Sequence, residues 1–292
     1  MLTVKSVPLP SAIYSRQGLQ KMMVTLAQIV REHGEIELAQ LSKAPDQTDE
    51  QFANFKNEMR TRVFKIAAIA TYDDGTSIQG DDPALLDRAD ETPLLSTFYV
   101  SNIQPFKQNL NTEPDERFEL FLDFRFPPLF DPDRLVSSPT ENYSRLTING
   151  FRGSWEAGIE KAVRSQILRI RPVRTFIHGP FIYDLFLMLL GFPFAFYCCW
   201  LLSSEIKRLT TDMHFIVAAG AYTYVALGAV WVYRFLFSYT KWAFPLVELK
   251  EQGTRPALHR KVWWGLVALI SGKLFWDLVD PLLSLRPLLG LS

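Results

Sequence analysis

The side chains that could perform catalysis or bind a metal are few in this sequence and poorly spaced for either task. The two cysteines, Cys198 and Cys199, are adjacent within an apolar run, so they offer neither a disulfide framework nor metal-ligand spacing. The linear signatures of phosphate-binding loops, dinucleotide sites, serine hydrolases and zinc peptidases are absent. We therefore expect no cofactor and no metal, and we favour a protein that is not an enzyme. A membrane-bound enzyme whose site is assembled from distant residues stays an alternative, because such a site leaves no linear motif.

Acidic residues cluster in one loop that could, by composition, bind a cation. Carboxylate oxygens are the ligands that Ca²⁺ and Mg²⁺ prefer, but the spacing of an EF-hand is absent. We interpret this segment as a solvated acidic loop, and its carboxylates are Asp81, Asp82, Asp87, Asp90 and Glu91.

Two long apolar runs dominate the second half of the chain. Leu185–Ser204 and Met213–Tyr233 contain 20 and 21 residues, and neither contains Asp, Glu, Lys or Arg. At about 1.5 Å per helical residue each run would extend roughly 30 Å, the hydrocarbon thickness of a bilayer. The sequence therefore predicts a transmembrane helical hairpin over residues 175–241, with the lipid bilayer as its partner. Pro193 lies within the first run and predicts a local kink.

Charged residues at the ends of these runs are candidates for a polar path through the membrane. They are Asp184, Arg234, Lys273, Asp277 and Asp280. If they line such a path, the protein is a subunit of a small transporter or channel. The other interpretation is that Asp184 and Arg234 mark span ends and extend towards lipid headgroups. Residues 262–285 are apolar but interrupted by charge, so we expect an interfacial or partly inserted helix, with a third span as the alternative.

The first 174 residues contain the patterns of a mixed domain. Apolar residues at helical spacing predict a helix over 16–33, capped by Ser15 and ending near Gly34, and a capping box at Thr48 predicts a second helix near 49–60. Alternating patterns predict strands at 2–7, 63–72, 94–103, 118–126 and 145–150, with a hairpin turn at Asp73-Asp74-Gly75. We expect an α+β fold: an N-terminal antiparallel sheet flanked by helices, followed by the transmembrane hairpin.

An amphipathic helix over 154–174 would connect this domain to the membrane. Its basic residues are expected at the lipid headgroups, and they are Arg164, Arg169, Arg171 and Arg174. The domains are then 1–174, the hairpin 175–241, and 242–292, a basic cytosolic loop followed by the interfacial or third membrane helix. Residues 1–150 contain 15 basic and 22 acidic residues, against 16 and 9 in the remainder. This distribution favours anionic lipid, and not nucleic acid, as the partner of the basic half.

The orientation of the hairpin follows from the basic residues near its ends. Only Lys207 and Arg208 lie in the link between the runs, whereas several basic residues precede the first run and follow the second. The positive-inside rule therefore predicts both ends in the cytosol. The first 14 residues lack the features of a secretory signal, which agrees with a cytosolic N-terminal domain. Small residues throughout the second run predict close helix packing, either within the hairpin or between protomers of a homo-oligomer.

A set of short motifs resembles a recurring type of uncharacterised bacterial membrane-anchored protein. The motifs are Leu-Asp-Phe at 122–124, Pro-Pro-Leu-Phe-Asp at 127–131, Ser-Ser-Pro-Thr-Glu-Asn at 137–142, Leu-Thr-Ile-Asn-Gly at 146–150, Trp155, Ile-His-Gly-Pro-Phe-Ile-Tyr-Asp at 177–184, and Gly-Phe-Pro at 191–193. The resemblance covers about residues 60–200. It implies a bacterial origin and brings no activity and no functional residue.

Together these patterns predict a cytosolic sensing or interaction domain fixed to a bacterial inner membrane and coupled to the helical hairpin. The ligand of the domain would be a protein or a small molecule that the sequence does not identify. A narrower hypothesis is a signal-triggered membrane effector in bacterial defence, in which the hairpins associate and breach the membrane.

Overall fold

The strands of the first half form a six-stranded antiparallel sheet. The computed structural model describes residues 3–87, 93–129 and 136–283. Within them the strands are β1 (Thr3–Pro8), β2 (Ala12–Tyr14), β3 (Ala67–Tyr72), β4 (Ser77–Gly80), β5 (Leu95–Ser101), β6 (Arg117–Asp123), β7 (Arg145–Gly150), β8 (Arg169–Ile170) and β9 (Val247–Leu249). The large sheet has the order β1-β7-β6-β5-β3-β4, and every pair in it is antiparallel. The expected α+β class is confirmed.

One face of this sheet is apolar because its strands alternate. In β6, Phe118, Leu120 and Leu122 are buried while the residues between them are partly exposed. Successive side chains of a strand point to opposite faces, so this alternation gives the sheet an apolar inner face. The inner face shares one hydrophobic core with Met22 and Met23 of the first helix.

The helices, in chain order, connect and cover the strands. They are α1 (Arg16–Gln40), α2 (Asp49–Glu58), α3 (Ile103–Leu110), α4 (Gly153–Arg164), α5 (Pro172–Ile177), α6 (Ile182–Phe186), α7 (Phe192–Leu201), α8 (Ser203–Thr210), α9 (Phe215–Ala243) and α10 (Thr254–Leu283). The caps predicted from the sequence are present: Ser15 Oγ accepts a hydrogen bond from the Gly18 amide, and Thr48 and Gln51 form the capping box. Gly75 has the positive φ of 84° that the β3–β4 turn requires.

The first helix does not end near Gly34, as the sequence indicated, but continues to Gln40. Gly34 has another role. A Cβ atom on it would lie 2.8 Å from Cδ1 of Phe64, so the missing side chain makes room for the Phe64 ring against the helix. The glycine is needed for close packing and not for a helix C-cap.

The prediction of one continuous helix over 154–174 is also wrong. Helix α4 ends at Arg164, and Arg169–Ile170 then forms strand β8, which pairs with β2. Pro172 begins the short helix α5, because proline fits the first turn of a helix and disfavours the helical conformation in the residue before it. The chain thus returns to the domain before it reaches the first apolar helix.

A second, three-stranded sheet has the order β8-β2-β9. Strand β2 is antiparallel to β8 and parallel to β9. Since β8 precedes the apolar hairpin and β9 follows it, both ends of the hairpin are attached to the same short strand.

Within the residues that the structure describes, two helical segments are long and apolar enough to cross a membrane. They are Ile182–Leu201, called here the first span, and Phe215–Ala243, the second span. The first span contains α6, a π-helical turn at Leu187–Gly191, and α7. Pro193 lies in the first turn of α7, directly after the wider π turn, and such turns are a recognised way to fit a proline into a long helix.

The two spans pack on each other along small residues. Ala229 is buried, and a Cβ atom on Gly191 would lie 3.2 Å from the Tyr233 ring. In contrast, a Cβ atom on Gly220 or Gly228 would meet nothing within 4 Å. Part of the small-residue pattern therefore serves the hairpin itself, and association between protomers stays a prediction.

Residues Met1–Gln252 form one compact unit, and Gly253–Ser292 form a second. The described part of the second unit is helix α10, of 30 residues. This helix is not among the described segments apolar enough to cross a membrane. Its expected position at the membrane interface remains a prediction.

Candidate functional site

The second span is longer than a bilayer requires, and its excess length lies in the domain. Its 29 residues extend about 43 Å, against roughly 30 Å of hydrocarbon. Its buried residues all belong to its C-terminal half: Ala229, Tyr233, Phe237, Ser238, Lys241 and Ala243. Tyr233 and Phe237 pack on Tyr183 of the first span, whereas Lys241 in the last turn contacts the 136–138 segment, so the end of the helix is part of the domain.

Lys241 is the central residue of this buried helix end. Only 7% of the residue is exposed, and its Nζ donates hydrogen bonds to the carbonyl oxygens of Val136 (3.1 Å) and Ser138 (2.8 Å). The ammonium group also lies 5.5 Å from the centre of the Phe237 ring. No carboxylate among the described residues forms an ion pair with it. A buried charge needs polar partners, and here they come from the backbone of the segment that follows β6.

A buried ion pair connects the two ends of the hairpin. Arg174, which precedes the first span, donates from Nη2 to Glu248 Oε2 at 2.6 Å and from Nη1 to the Pro245 carbonyl at 2.9 Å. Both charged residues are buried, and Glu248 belongs to β9 after the second span. The expectation that Arg174 lies at lipid headgroups is not met, because its guanidinium points into the protein.

His178 is another buried polar residue at the base of the hairpin. Its Nε2 is 2.9 Å from the Phe244 carbonyl. A carbonyl can only accept, so Nε2 carries the proton and the buried Nδ1 is left without a hydrogen-bond partner within the described residues. Burial lowers the pKa of His178 to about 4; the Phe244 carbonyl opposes the shift, and the charges of Lys241 and Arg174 add to it. The ring is therefore neutral at pH 7. The His178 carbonyl accepts from the Thr140 amide at 3.0 Å.

A cavity of about 390 Å³ lies beside these residues. Its wall consists of the chain after β6, the segment 136–143, the end of the second span and the start of β9. Asp123 and Arg125 form a bidentate ion pair in this wall, with distances of 2.9 and 2.7 Å. The other polar side chains of the wall include Thr140, Asn142, Tyr143, Ser238 and Lys241, and the apolar ones include Phe126, Leu129, Leu246 and Val247.

The size and lining of this cavity suit a small ligand. Binding sites for small molecules commonly measure about 300–1,000 Å³ and combine an apolar wall with a few placed polar groups. In the described wall, Asp123 and Arg125 neutralise each other, Lys241 is engaged with carbonyl groups, and Glu141 adds an exposed carboxylate. This arrangement can bind and orient a ligand through hydrogen bonds and apolar contact.

The structure places two of the candidate residues for a membrane path, Asp184 and Arg234, at one end of the hairpin. Asp184 is exposed in α6 and Arg234 is half-buried in α9. The Tyr233 hydroxyl donates to the Tyr183 carbonyl at 2.8 Å. Asp184 and Arg234 follow these two tyrosines in the sequence, so they lie at the same level, at the domain end of the hairpin. Lys273 is exposed in α10, whereas the side chains of Asp277 and Asp280 lie outside what the structure describes.

The remaining basic residues have different surroundings. Arg164 is exposed and pairs with Glu160 at 2.8 Å, Arg169 is exposed on β8, and Arg171 is half-buried. In the acidic loop, Asp90 and Glu91 fall outside the described residues. Among residues that are described, no three His, Cys, Asp or Glu side chains gather in a metal-binding arrangement.

Sequence reasoning did not find the most buried polar residues of this site. The sequence pattern did not single out Lys241, it placed Arg174 at lipid headgroups, and it included His178 only within a longer motif. One signal was present for Glu248, a single acid between Val247 and Leu249 in a short apolar run. Its partner, however, is 74 positions away and cannot be inferred from local patterns. Comparisons of this chain with known protein families, with curated proteins and with solved structures find no match.

Proposed function

We propose that this protein is a membrane-anchored sensing or interaction protein, in which ligand binding at the cavity is transmitted to the helical hairpin. The observation that carries the proposal is the position of Lys241. This residue belongs to the second span, lines the cavity and binds the 136–138 backbone. A ligand that displaces any of these groups must act on the end of a membrane helix.

The buried contacts at the hairpin base support mechanical coupling. The Arg174–Glu248 pair and the His178–Phe244 hydrogen bond connect the chain before the first span to the chain after the second. Packed interfaces of this kind tend to shift between discrete arrangements instead of deforming gradually. A change in the 136–143 segment would therefore reach both spans together.

We also propose a location, the cytoplasmic membrane of a bacterium with the domain in the cytosol. The excess of basic residues at the domain end of the hairpin supports this orientation. Exposed apolar side chains support the lipid contact: Phe196 is 73% exposed and Tyr224 is 80% exposed. Large exposed apolar surfaces mark sites of contact with a membrane or with another protein.

The anchoring is tested by membrane extraction. We expect the protein to stay in the membrane pellet through washing with high salt and then with alkaline carbonate, since neither treatment removes a helical hairpin from lipid. Release by either wash contradicts the anchoring.

The coupling is tested by filling the cavity with a tethered group. In a protein with Cys198→Ala and Cys199→Ala, Thr140→Cys is labelled with a benzyl thiosulfonate, and hydrogen exchange of residues 229–243 is measured in lipid nanodiscs. We expect the label to change this exchange. The matched control is Asn57→Cys, exposed on α2, whose label should leave the second span unaffected. Unchanged exchange with a fully labelled Cys at position 140 contradicts the coupling.

A further inference from the structure

Helix α5 has its polar and apolar faces reversed with respect to an ordinary surface helix. Arg174 and His178, four positions apart, are buried against the rest of the protein. Val173 and Phe176 lie on the outer side and are 68% and 52% exposed. A helix on a water-soluble protein normally places its apolar residues inside and its charges outside.

The reversed orientation of α5 is fixed by its inward contacts. Arg174 binds Glu248 and the Pro245 carbonyl, and His178 binds the Phe244 carbonyl. If the helix rolled to hide Val173 and Phe176, the Arg174–Glu248 ion pair and the His178–Phe244 hydrogen bond would break, and breaking a buried ion pair is costly. The outer apolar face therefore stays exposed in the structure as described.

The chain continues from α5 directly into the first span. Helix α5 ends at Ile177 and the first span begins at Ile182, so the connection can bridge at most about 18 Å. The connection includes Phe181, which is highly exposed. Immediately before α5, Leu168 and Ile170 are exposed on either side of the exposed Arg169.

We propose that the outer face of α5, formed by Val173 and Phe176 and continued by Phe181, lies in the interfacial layer of the bilayer. Apolar side chains there enter the boundary between headgroups and acyl chains, and the neighbouring Arg169 faces anionic headgroups. The domain is thus seated on the membrane surface by its own side chains, beyond the attachment that the hairpin provides. This inference rests on the proposed anchoring.

The test uses nitroxide labels at single cysteines in the Cys198→Ala, Cys199→Ala protein, reconstituted in vesicles of phosphatidylcholine and phosphatidylglycerol. The labelled sites are Val173→Cys, Val24→Cys and Leu227→Cys. Val24 is the matched control, an exposed valine on α1, and Leu227 reports on the second span. Collision rates are measured with oxygen, which concentrates in lipid, and with a water-soluble nickel chelate.

We expect the oxygen-to-nickel collision ratio at position 173 to be several times that at position 24 and below that at position 227. A high ratio at 227 with equal ratios at 173 and 24 overturns the seating of α5 and leaves the anchoring intact. A low ratio at 227 overturns the anchoring and with it this inference. Spin–spin broadening at 173, with low collision rates for both reagents, would mean that a second copy of the chain covers the face, and it also overturns the inference.

Discussion

Three buried side chains with nitrogen donors surround the base of the hairpin, and each has a different set of hydrogen-bond acceptors. Arg174 has a carboxylate and a carbonyl, Lys241 has two carbonyls, and His178 stays neutral and donates to one carbonyl. All of these acceptors come from two short stretches, 136–138 and 244–248. The base of the hairpin is therefore held by charge and backbone polarity, whereas the spans are held by apolar packing.

The Arg174–Glu248 pair gives a prediction about stability. Arg174→Met removes the guanidinium that Glu248 binds at 2.6 Å, and breaking a buried ion pair from one side should lower the free energy of unfolding by about 3–5 kcal/mol, or roughly 10 °C in Tm. Arg174→Met with Glu248→Met removes both charges and should recover much of the loss. Thermal unfolding of the solubilised protein measures both, with the exposed Lys161→Met as the control. Equal losses of stability in the single and double variants would contradict the role of the remaining buried charge.

His178 gives a prediction about pH. Its pKa falls from an ordinary 6.5 to about 4 on folding, so the unfolded chain binds a proton more readily between these values. The stability that neutral His178 contributes is present above pH 6.5 and is lost as the pH falls towards 4, by up to about 3 kcal/mol.

The measurement compares Tm at pH 7.5 and pH 5 for the wild type and His178→Gln, in which an amide N–H can still donate to the Phe244 carbonyl. We expect the Tm of the wild type to fall more between pH 7.5 and pH 5 than the Tm of the variant. The same pH dependence in both proteins would show that other groups are responsible.

At the scale of elements, two helical glycines lie in different environments, one closely packed and one with room for a side chain. Gly34 in α1 faces the Phe64 ring, whereas a Cβ on Gly158 in α4 would be 3.8 Å from Ile29 Cδ1, an ordinary contact. We expect Gly34→Ala to lower the stability by about 1–3 kcal/mol through overpacking, despite the better helix propensity of alanine. Gly158→Ala should raise it by up to about 1 kcal/mol. Thermal unfolding of the two variants measures whether each substitution raises or lowers the stability. A stabilising Gly34→Ala would contradict the close packing of Gly34 against Phe64.

The elements that could be predicted from the sequence are those that local chemistry specifies. The caps at Ser15 and Thr48, the Asp-Gly turn and the alternation of β6 each depend on residues a few positions apart. The β8-β2-β9 sheet could not be predicted, because each of its three strands has three residues or fewer and Ser11 binds Leu246 across 235 positions. The helix expected over 154–174 failed for the same reason, since pairing of Arg169–Ile170 with β2 overrides a helical pattern.

For the whole molecule, the proposed orientation is open to direct labelling. Ser204→Cys lies in the link between the spans and Asn57→Cys lies on α2, both in the Cys198→Ala, Cys199→Ala protein. With a cytosolic domain, a membrane-impermeant maleimide should label position 204 in intact cells and position 57 only after lysis. The opposite pattern would place the domain outside.

The parallel pairing of β2 with β9 has a consequence for biosynthesis. The Ala12 amide donates to the Leu246 carbonyl. Strand β2 can therefore pair with β9 only after the ribosome has synthesised both spans. Until then Arg174 has no Glu248 and the Ser11 hydroxyl has no Leu246 carbonyl. The domain therefore completes its hydrogen bonding only after both spans have been synthesised.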